Sequence, residues 1–272
     1  MSTIPYVTDL ALSRRLEYAE ARANAASVEA HARLDPSCGA TWREIAGTFA
    51  MYDGPASPIT QTFGLGMTTP PSDDDLDALE AFFRERGAEV FHEVSPLADP
   101  SLLHRLGARG YRPTELTSVM HQPIAPSAYA EPPGAPARAR PIAPGEVDLW
   151  TDAAARGWGT EGPGLDDFMR AYGRMLATAE NATCFVAEID GAVVAAGALM
   201  MHGGVAVLGG ASTVPEARGR GAQGALLRAR LRHAAAAGCD LAMMGALPGS
   251  ASQRNAERQG FRIAYTRIKW GV

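Results

Sequence analysis

The sequence predicts a mixed α/β protein made of two domains, each with a mixed β-sheet flanked by helices. Short apolar runs of strand composition alternate with helical patterns along both halves of the chain. At 272 residues, the chain is long enough for two compact domains. A proline-rich segment near the middle separates the halves.

In the first half, a helical pattern covers residues 10–34, where apolar residues recur at helical spacing. A second helix places its apolar face at Leu76, Leu79, Phe82 and Phe83, and Gly87 ends it. Strands are predicted at residues 42–52, 59–65 and 89–94 and from Tyr111 onward. A short helix is predicted at residues 100–108.

The proline-rich segment holds seven prolines between Pro123 and Pro144. Proline fixes φ and lacks an amide hydrogen, so the segment cannot continue a helix or a central strand. The charge balance also changes there, from ten Arg against 18 Asp and Glu in residues 1–135 to 15 Lys and Arg against 12 Asp and Glu afterwards. We therefore predict a domain at 1–125, a linker at 126–137 and a domain at 138–272.

In the second half, residues 191–215 contain no charged side chain and are long enough to span a bilayer. Six glycines interrupt this stretch, so it is predicted as two buried strands, 192–201 and 205–213, joined by a turn. Helices are then predicted at residues 221–237 and 251–259. A strand at 241–245 lies between them, and a last strand begins at Phe261.

Both halves contain a unit of helix, glycine, strand, helix and Gly-aromatic-Arg. The unit extends from Gly87 to Arg112 and again from Gly238 to Arg262, with nearly the same spacing. Chains of the α/β class also repeat such units by chance. We favour the interpretation that the domain was duplicated and that one copy has lost its function.

Composition excludes several classes of function. A net charge of −5 argues against nucleic acid or an anionic membrane as the main partner. Three widely spaced cysteines offer neither a disulfide framework nor a zinc site, and no metal is expected. The N-terminus lacks the pattern of a signal peptide, so a soluble cytoplasmic protein, monomeric or homodimeric, is expected.

The most informative segment joins the strand that ends near Val214 to the helix that follows Gly221. A proline turn leads into a loop of alternating arginine and glycine, and the helix begins directly after it. The first amide groups of a helix lack intrahelical partners and carry the positive end of the macrodipole, so this loop predicts an anion site. Arg218 and Arg220 add positive charge suited to a pyrophosphate.

Other interpretations of the loop remain open. A Walker A motif is excluded because no Gly-Lys-Ser/Thr follows. Residues 219–224 match the G-x-G-x-x-G pattern of dinucleotide sites, but the next strand ends at Ala246 without the acidic residue that binds the ribose. A glycine-rich turn with solvated arginines is the third possibility.

The loop resembles that of the GNAT (Gcn5-related N-acetyltransferase) superfamily, whose pattern V-x-P-x-x-R-G-x-G is matched by Val214, Pro215, Arg218, Gly219 and Gly221. The later helix and Gly-Phe pair of that family resemble residues 250–261. The resemblance covers residues 138–272 and implies a sheet splayed between its fourth and fifth strands, with acyl-CoA in the gap. The residues that it implies for acyl-CoA binding are Ser212, Thr213, Val214, Arg218, Gly219, Arg220, Gly221, Ala222, Gln223, Gly224, Ala225, Ser250, Ser252 and Asn255.

The resemblance implies an acyl-CoA-dependent N-acyltransferase that moves an acetyl group from acetyl-CoA to a small-molecule or peptide amine. Family members often carry a tyrosine in the last helix, but this sequence has Ala256 there. The candidate catalytic residues are Tyr265, Ser252 and Glu161, and Trp158 is the candidate wall of the substrate site. The alternatives are a non-catalytic acyl-CoA-binding module and, further off, an NAD(P)-dependent oxidoreductase.

The first domain lacks this anion site. Its corresponding helix opens with Asp73, Asp74 and Asp75, whose carboxylates would repel a pyrophosphate. We therefore predict that residues 1–125 form a GNAT-like domain that binds no CoA and either buttresses the second copy or shapes its acceptor cleft.

Overall fold

The computed structural model describes residues 7–125, 129–160, 162 and 164–272. Over these residues, the predicted mixed α/β fold class is confirmed. The elements in chain order are α1 (Leu10–Leu34), β1 (Thr41–Ile45), β2 (Thr48–Tyr52), β3 (Gln61–Phe63), α2 (Asp73–Arg84), β4 (Phe91–Val94), α3 (Ser101–Ala108), β5 (Arg112–Pro123), β6 (Ala137–Pro141), α4 (Val147–Trp158), α5 (Leu165–Thr178), β7 (Ala182–Ile189), β8 (Ala192–His202), β9 (Val205–Thr213), α6 (Ala222–Ala236), β10 (Leu241–Ala246), α7 (Ala251–Arg258) and β11 (Arg262–Gly271).

Two compact units divide the chain, and they do not follow its order. The first unit contains the residues up to His121 together with Gly245–Val272, and the second contains Gln122–Met244. The segment that follows β10 therefore packs with the first unit, although it comes last in the sequence. Of the predicted linker, residues 126–128 lie outside the described part of the chain.

The sheet of the first unit has the strand order β1-β2-β3-β4-β11-β5. Its neighbours are antiparallel, except that β3 and β4 are parallel and meet at Thr62 and His92. The long run predicted at residues 42–52 is a hairpin, because Ala46 and Gly47 both adopt positive φ and turn the chain. One apolar core of this unit is formed by side chains that include those of α2, β4 and α3.

A buried charged cluster connects α1 to the sheet of the first unit. Arg267 of β11 lies 2.5 Å from a carboxylate oxygen of Glu20, 2.7 Å from Glu93 and 3.4 Å from Glu17. Tyr265 donates a 2.8 Å hydrogen bond to Oε1 of Glu17. Three carboxylates thus share one guanidinium away from water, and the cluster is most easily neutralised by a proton on the deepest carboxylate.

Glu17 is expected to make the stability of the protein depend on pH. Burial raises the pKa of Glu17 to about 7, although the attraction of Arg267 lowers it. Because this pKa lies above the value of 4.5 expected in the unfolded chain, the stabilising proton is fully bound below pH 4.5 and is lost as the pH rises through 7. The unfolding free energy should therefore fall by roughly 1–3 kcal/mol between pH 5 and 8 through this group.

Chemical denaturation of wild type and Glu17→Gln at a series of pH values measures this effect. The neutral variant should lose that part of the pH dependence, and the difference between the two proteins isolates Glu17 from the histidines. Glu44→Gln on exposed β1 is the matched control and should follow the wild type. Parallel curves for wild type and Glu17→Gln would show that Glu17 does not titrate in this range.

The sheet of the second unit has the strand order β10-β9-β8-β7-β6. The strands from β6 to β9 are antiparallel, and β10 is parallel to β9. Leu241–Met243 of β10 pair with Val205–Val207 of β9, and the described residues contain no further pair between these two strands. From Leu208 onward, β9 remains paired with β8 while its other edge is open, which is the splay that the resemblance implies.

A β-bulge deforms β9 beside this open edge. Ala198 pairs with Gly209 and Ala196 with Ser212, so two residues of β9 oppose the single residue Gly197 of β8. One of the two is Gly210, whose φ of +59° favours glycine.

The uncharged stretch predicted as two strands is confirmed as β8 and β9. Across the described residues, no helix has the length and apolar character needed to cross a membrane.

Candidate functional site

The loop between β9 and α6 leaves the start of that helix free of side-chain caps. Gly221 is the N-cap residue with φ of +87°, no described side chain caps it, and no acidic residue occupies the first turn. A Cβ at Gly219 or Gly221 would meet no atom within 4 Å, so the surface above this loop is open. The amide groups of the first turn can therefore bind an anion, and the macrodipole favours it.

The two loop arginines have different surroundings. Arg218 turns back onto the protein, where it donates to the carbonyl oxygens of Thr213 at 3.2 Å and Gly157 at 3.1 Å and to Thr160 Oγ1 at 2.7 Å. It thereby connects the loop to the end of α4. Arg220 is half exposed and lies 3.1 Å from the exposed carboxylate of Asp190. Such an exposed pair is weak, so Arg220 is available to a phosphate.

Three polar side chains hold the end of β9 in place. Gln223 of α6 donates a 2.9 Å hydrogen bond from Nε2 to Thr213 Oγ1. Ser212 Oγ donates to the carbonyl oxygen of Ala154 at 3.3 Å. The end of the strand, the helix before it and the helix after it are thus tied together at the open edge.

Gly157 permits the close approach of α4 to β9. A Cβ at this position would lie 2.4 Å from Ser212 Oγ and 2.5 Å from Ser212 Cβ. Gly157→Ala should therefore destabilise the protein by roughly 1–3 kcal/mol, because the packed strand must shift. Thermal unfolding measures the loss, and Gly107→Ala in helix α3, where a Cβ meets no atom within 4 Å, is the matched control for the same substitution in a helix without a clash. Equal stability of Gly157→Ala and wild type would contradict this packing.

Trp158 is the last residue of α4 and lies directly after this contact. Its side chain is half buried, and its indole nitrogen is buried without a hydrogen-bond partner among the described residues. A buried indole N–H normally has an acceptor. The prediction that Trp158 lines a substrate site is compatible with this unused donor.

Three residues predicted to bind acyl-CoA lie on or at the start of α7, outside the loop between β9 and α6. Ser250 caps α7, where its hydroxyl accepts from the amide of Gln253 at 3.1 Å, and Ser252 is exposed on the same helix. Asn255 accepts from Arg258. These residues belong to the first unit, whereas the loop belongs to the second.

Two candidate catalytic residues have distinct outcomes. Tyr265 lies on β11 of the first unit with its hydroxyl bound to Glu17, and burial raises the pKa of Tyr265 well above its usual range. Glu161 falls outside the described residues, so its role stays a prediction. No group of three or more His, Cys, Asp or Glu side chains suited to a metal ion occurs in the part of the chain that is described.

The corresponding helix start in the first unit is occupied by its own side chains. Ser72 and Asp75 form a reciprocal capping box at the start of α2, with hydrogen bonds of 2.8 Å and 3.1 Å. These hydrogen bonds hold the pKa of Asp75 below its usual range. Arg14 binds the carbonyl oxygen of Met67 in the preceding loop at 2.6 Å. Two amide donors of this helix start, those of Ser72 and Asp75, and the nearby guanidinium of Arg14 are therefore already used.

Sequence reasoning missed Arg230, whose side chain is only 3% exposed inside the second unit. An arginine in a helix is ordinarily interpreted as a solvated residue. A signal was present, because Arg230 continues the buried positions Leu226 and Ala234 at a spacing of four residues. The same reasoning missed the backbone partners of Arg218, which lie up to 61 residues away in the sequence.

Comparison with known proteins agrees with this geometry. Residues 138–251 match the family model described as an acetyltransferase (GNAT) domain. A GCN5-related N-acetyltransferase from Kribbella flavida is similar over 92% of this chain and 94% of its own, with 17% identity and a TM-score of 0.66. A tandem GNAT protein from the clavulanic acid biosynthesis pathway is similar over 99% of this chain and 97% of its own, with 14% identity and a TM-score of 0.60. Curated proteins gave no match.

These findings confirm the resemblance drawn from the loop. The chain has the GNAT fold over nearly its full length, and one of the structures with this fold is a tandem GNAT protein. The family model adds a GNAT acetyltransferase domain at residues 138–251 to this likeness of fold.

Proposed function

We propose that the protein is an acyl-CoA-dependent N-acyltransferase, and specifically an N-acetyltransferase that moves the acetyl group of acetyl-CoA to an amine. The observation that carries the proposal is the open edge of β9, which leads into the uncapped start of α6. An extended amide chain fits the first feature and a pyrophosphate fits the second, and the two are consecutive in the chain.

The proposed ligand follows this geometry. The pyrophosphate binds the amide groups of Gly219–Gly224 with Arg220 beside it, while Arg218 keeps the loop in shape. The pantetheine amides pair with the β9 backbone near Ser212 and Thr213 as an additional strand would. A free amide N–H of that edge then hydrogen-bonds the thioester carbonyl and stabilises the oxyanion that forms from it.

In the proposed reaction, the acceptor amine attacks the thioester carbon within a ternary complex. The new C–N bond forms, the C–S bond breaks, the amine loses a proton to a base, and the CoA thiolate takes up a proton. β9 contains no carboxylate, so the base comes from another element or from water. Of the predicted candidates for proton transfer, Glu161 is the one that we propose, because Ser252 and Tyr265 belong to the first unit and the Tyr265 hydroxyl is bound to Glu17. Trp158 remains the proposed wall for a small-molecule or peptide amine.

A non-catalytic acyl-CoA-binding module is the second candidate, and one observation favours it. The position at which family members often place a proton-donating tyrosine is Ala256, which is only 2% exposed in α7. A buried methyl group offers no proton. In this alternative, the loop between β9 and α6 binds acyl-CoA, but the protein does not transfer the acyl group.

Calorimetry with acetyl-CoA, followed by a thiol-release assay with a broad panel of amines, tests both candidates. The proposed enzyme should bind acetyl-CoA and release CoA thiol in the presence of at least one class of amine. Binding without release on any amine would favour the binding module. Absence of acetyl-CoA binding would contradict both.

A further inference from the structure

A buried cation lies beside the β9 bulge, and the described residues offer it no carboxylate partner. The guanidinium of Arg230 donates from Nη1 to the carbonyl oxygen of Ala198 at 3.1 Å and from Nε to that of Leu226 at 3.3 Å. No ion pair of Arg230 occurs among the described residues, whereas buried Arg267 of the first unit has three carboxylates around it. An uncompensated buried charge is costly, and protein folds rarely retain one without a use for it.

The place of this charge is specific. A Cβ at Gly197 would lie 3.2 Å from the guanidinium carbon of Arg230 and 3.5 Å from Cβ of Ala211, so the guanidinium occupies the space that this glycine leaves. Gly197 is the β8 residue opposite the bulge, and Ala211 is one of the two bulged residues. The charge therefore lies beside Gly197 of β8, directly opposite the bulge of β9.

The other side of the bulge is held by an uncharged residue. Trp150 is fully buried, donates from Nε1 to the carbonyl oxygen of Gly197 at 3.0 Å and lies against Gly210. Trp150 is therefore sufficient to fix the shape of the bulge from α4. What Arg230 adds is positive charge, and burial lowers the pKa of Arg230 only to about 10, so the charge persists at neutral pH.

We propose that Arg230 is a positioning residue for acyl transfer, which holds the bulge against α6 and supplies a fixed positive potential to the β9 amides that receive the thioester carbonyl. This inference rests on the proposed function. A charge at the protein interior acts strongly on developing negative charge because little solvent screens it. The amide that binds the carbonyl oxygen then becomes a better donor as the oxyanion forms, and no solvent has to reorganise.

Isotope-edited infrared spectroscopy of bound acetyl-CoA, labelled with ¹³C at the carbonyl, tests this role without knowledge of the acceptor. In the wild type, the carbonyl band should lie at lower frequency than that of free acetyl-CoA, because the bond is polarised. In Arg230→Met, the band should move back towards the free value while the Kd for acetyl-CoA changes by less than about threefold. Arg232→Met is the matched control, because Arg232 lies exposed on the same helix, and it should keep the wild-type band.

An unchanged band in Arg230→Met would overturn the proposal, and so would a band shift accompanied by a parallel loss of acetyl-CoA affinity, which indicates a structural role. If Arg230→Met fails to fold, Arg230→Gln provides the same test, because it also removes the charge and keeps a polar side chain that can reach the backbone carbonyl oxygens. A wild-type band in that variant would overturn the proposal. Failure of the wild type to bind acetyl-CoA would instead contradict the proposed function, and this inference would fall with it.

Discussion

Arg220→Glu is expected to raise the Kd for CoA at least about 10-fold. The substitution removes a charged hydrogen bond to the pyrophosphate, worth about 1.5–3 kcal/mol, and places a negative charge beside two others. The melting temperature should hardly change, because the Arg220 side chain is half exposed and its partner Asp190 is 86% exposed. Isothermal calorimetry with CoA and a thermal scan of the same samples measure the two effects separately.

Asp190→Asn is the matched control for this prediction. It removes the only ion-pair partner that the described residues offer to Arg220, without changing the loop itself. The freed arginine should bind CoA with unchanged or higher affinity. Arg218 is the wrong position for this experiment, because its contacts with Gly157 and Thr160 make any variant a test of loop structure as well. Equal CoA affinity in Arg220→Glu and wild type would remove the pyrophosphate from this loop.

The chain is expected to bind one CoA, not two. At the start of α2, the capping box of Ser72 and Asp75 occupies the amides that a phosphate would need. The carboxylates of Asp73 and Asp74 stand in the same first turn, where they take the favourable end of the helix dipole. At the start of α6, the corresponding position has neither a cap nor an acidic residue. The two helix starts therefore differ in whether a phosphate can bind.

Native mass spectrometry of the full chain at saturating CoA measures the stoichiometry. The wild type should show a single bound ligand at saturation, and at a CoA concentration near the wild-type Kd, Arg220→Glu should reduce the population of that complex. The full chain is required, because β11 completes the sheet of the first unit and a fragment ending before it would lack a central strand. Two ligands per wild-type chain would show that the first unit binds CoA as well.

Local patterns in the sequence predict most of this fold. The apolar faces of α1 and α2, the glycines that end helices and the two uncharged strands β8 and β9 all follow from spacing between near neighbours. The anion site at Gly221 is local in the same sense, because a strand, a loop and a helix start lie within about a dozen residues.

What the sequence could not provide depends on contacts between distant residues. Arg218 binds carbonyl oxygens, and every residue has one, so no residue type marks Gly157 as its partner. Burial of Arg230 depends on the space left by Gly197 on another element, which is invisible until the two are packed. The position of β11 between β4 and β5 is also nonlocal, because β11 pairs with a strand about 150 residues away in the chain.

The insertion of β11 between β4 and β5 sets an order for synthesis. During translation, the ribosome releases β4 and β5 well before the strand that separates them in the folded sheet. The first unit therefore cannot complete its sheet until β11 is made, while β6–β9 and α4–α6, which precede β11 and are consecutive in the chain, can associate earlier. Until then, two strand edges stay unpaired, and in a nascent chain such edges are the places where chaperones or aggregation compete with folding.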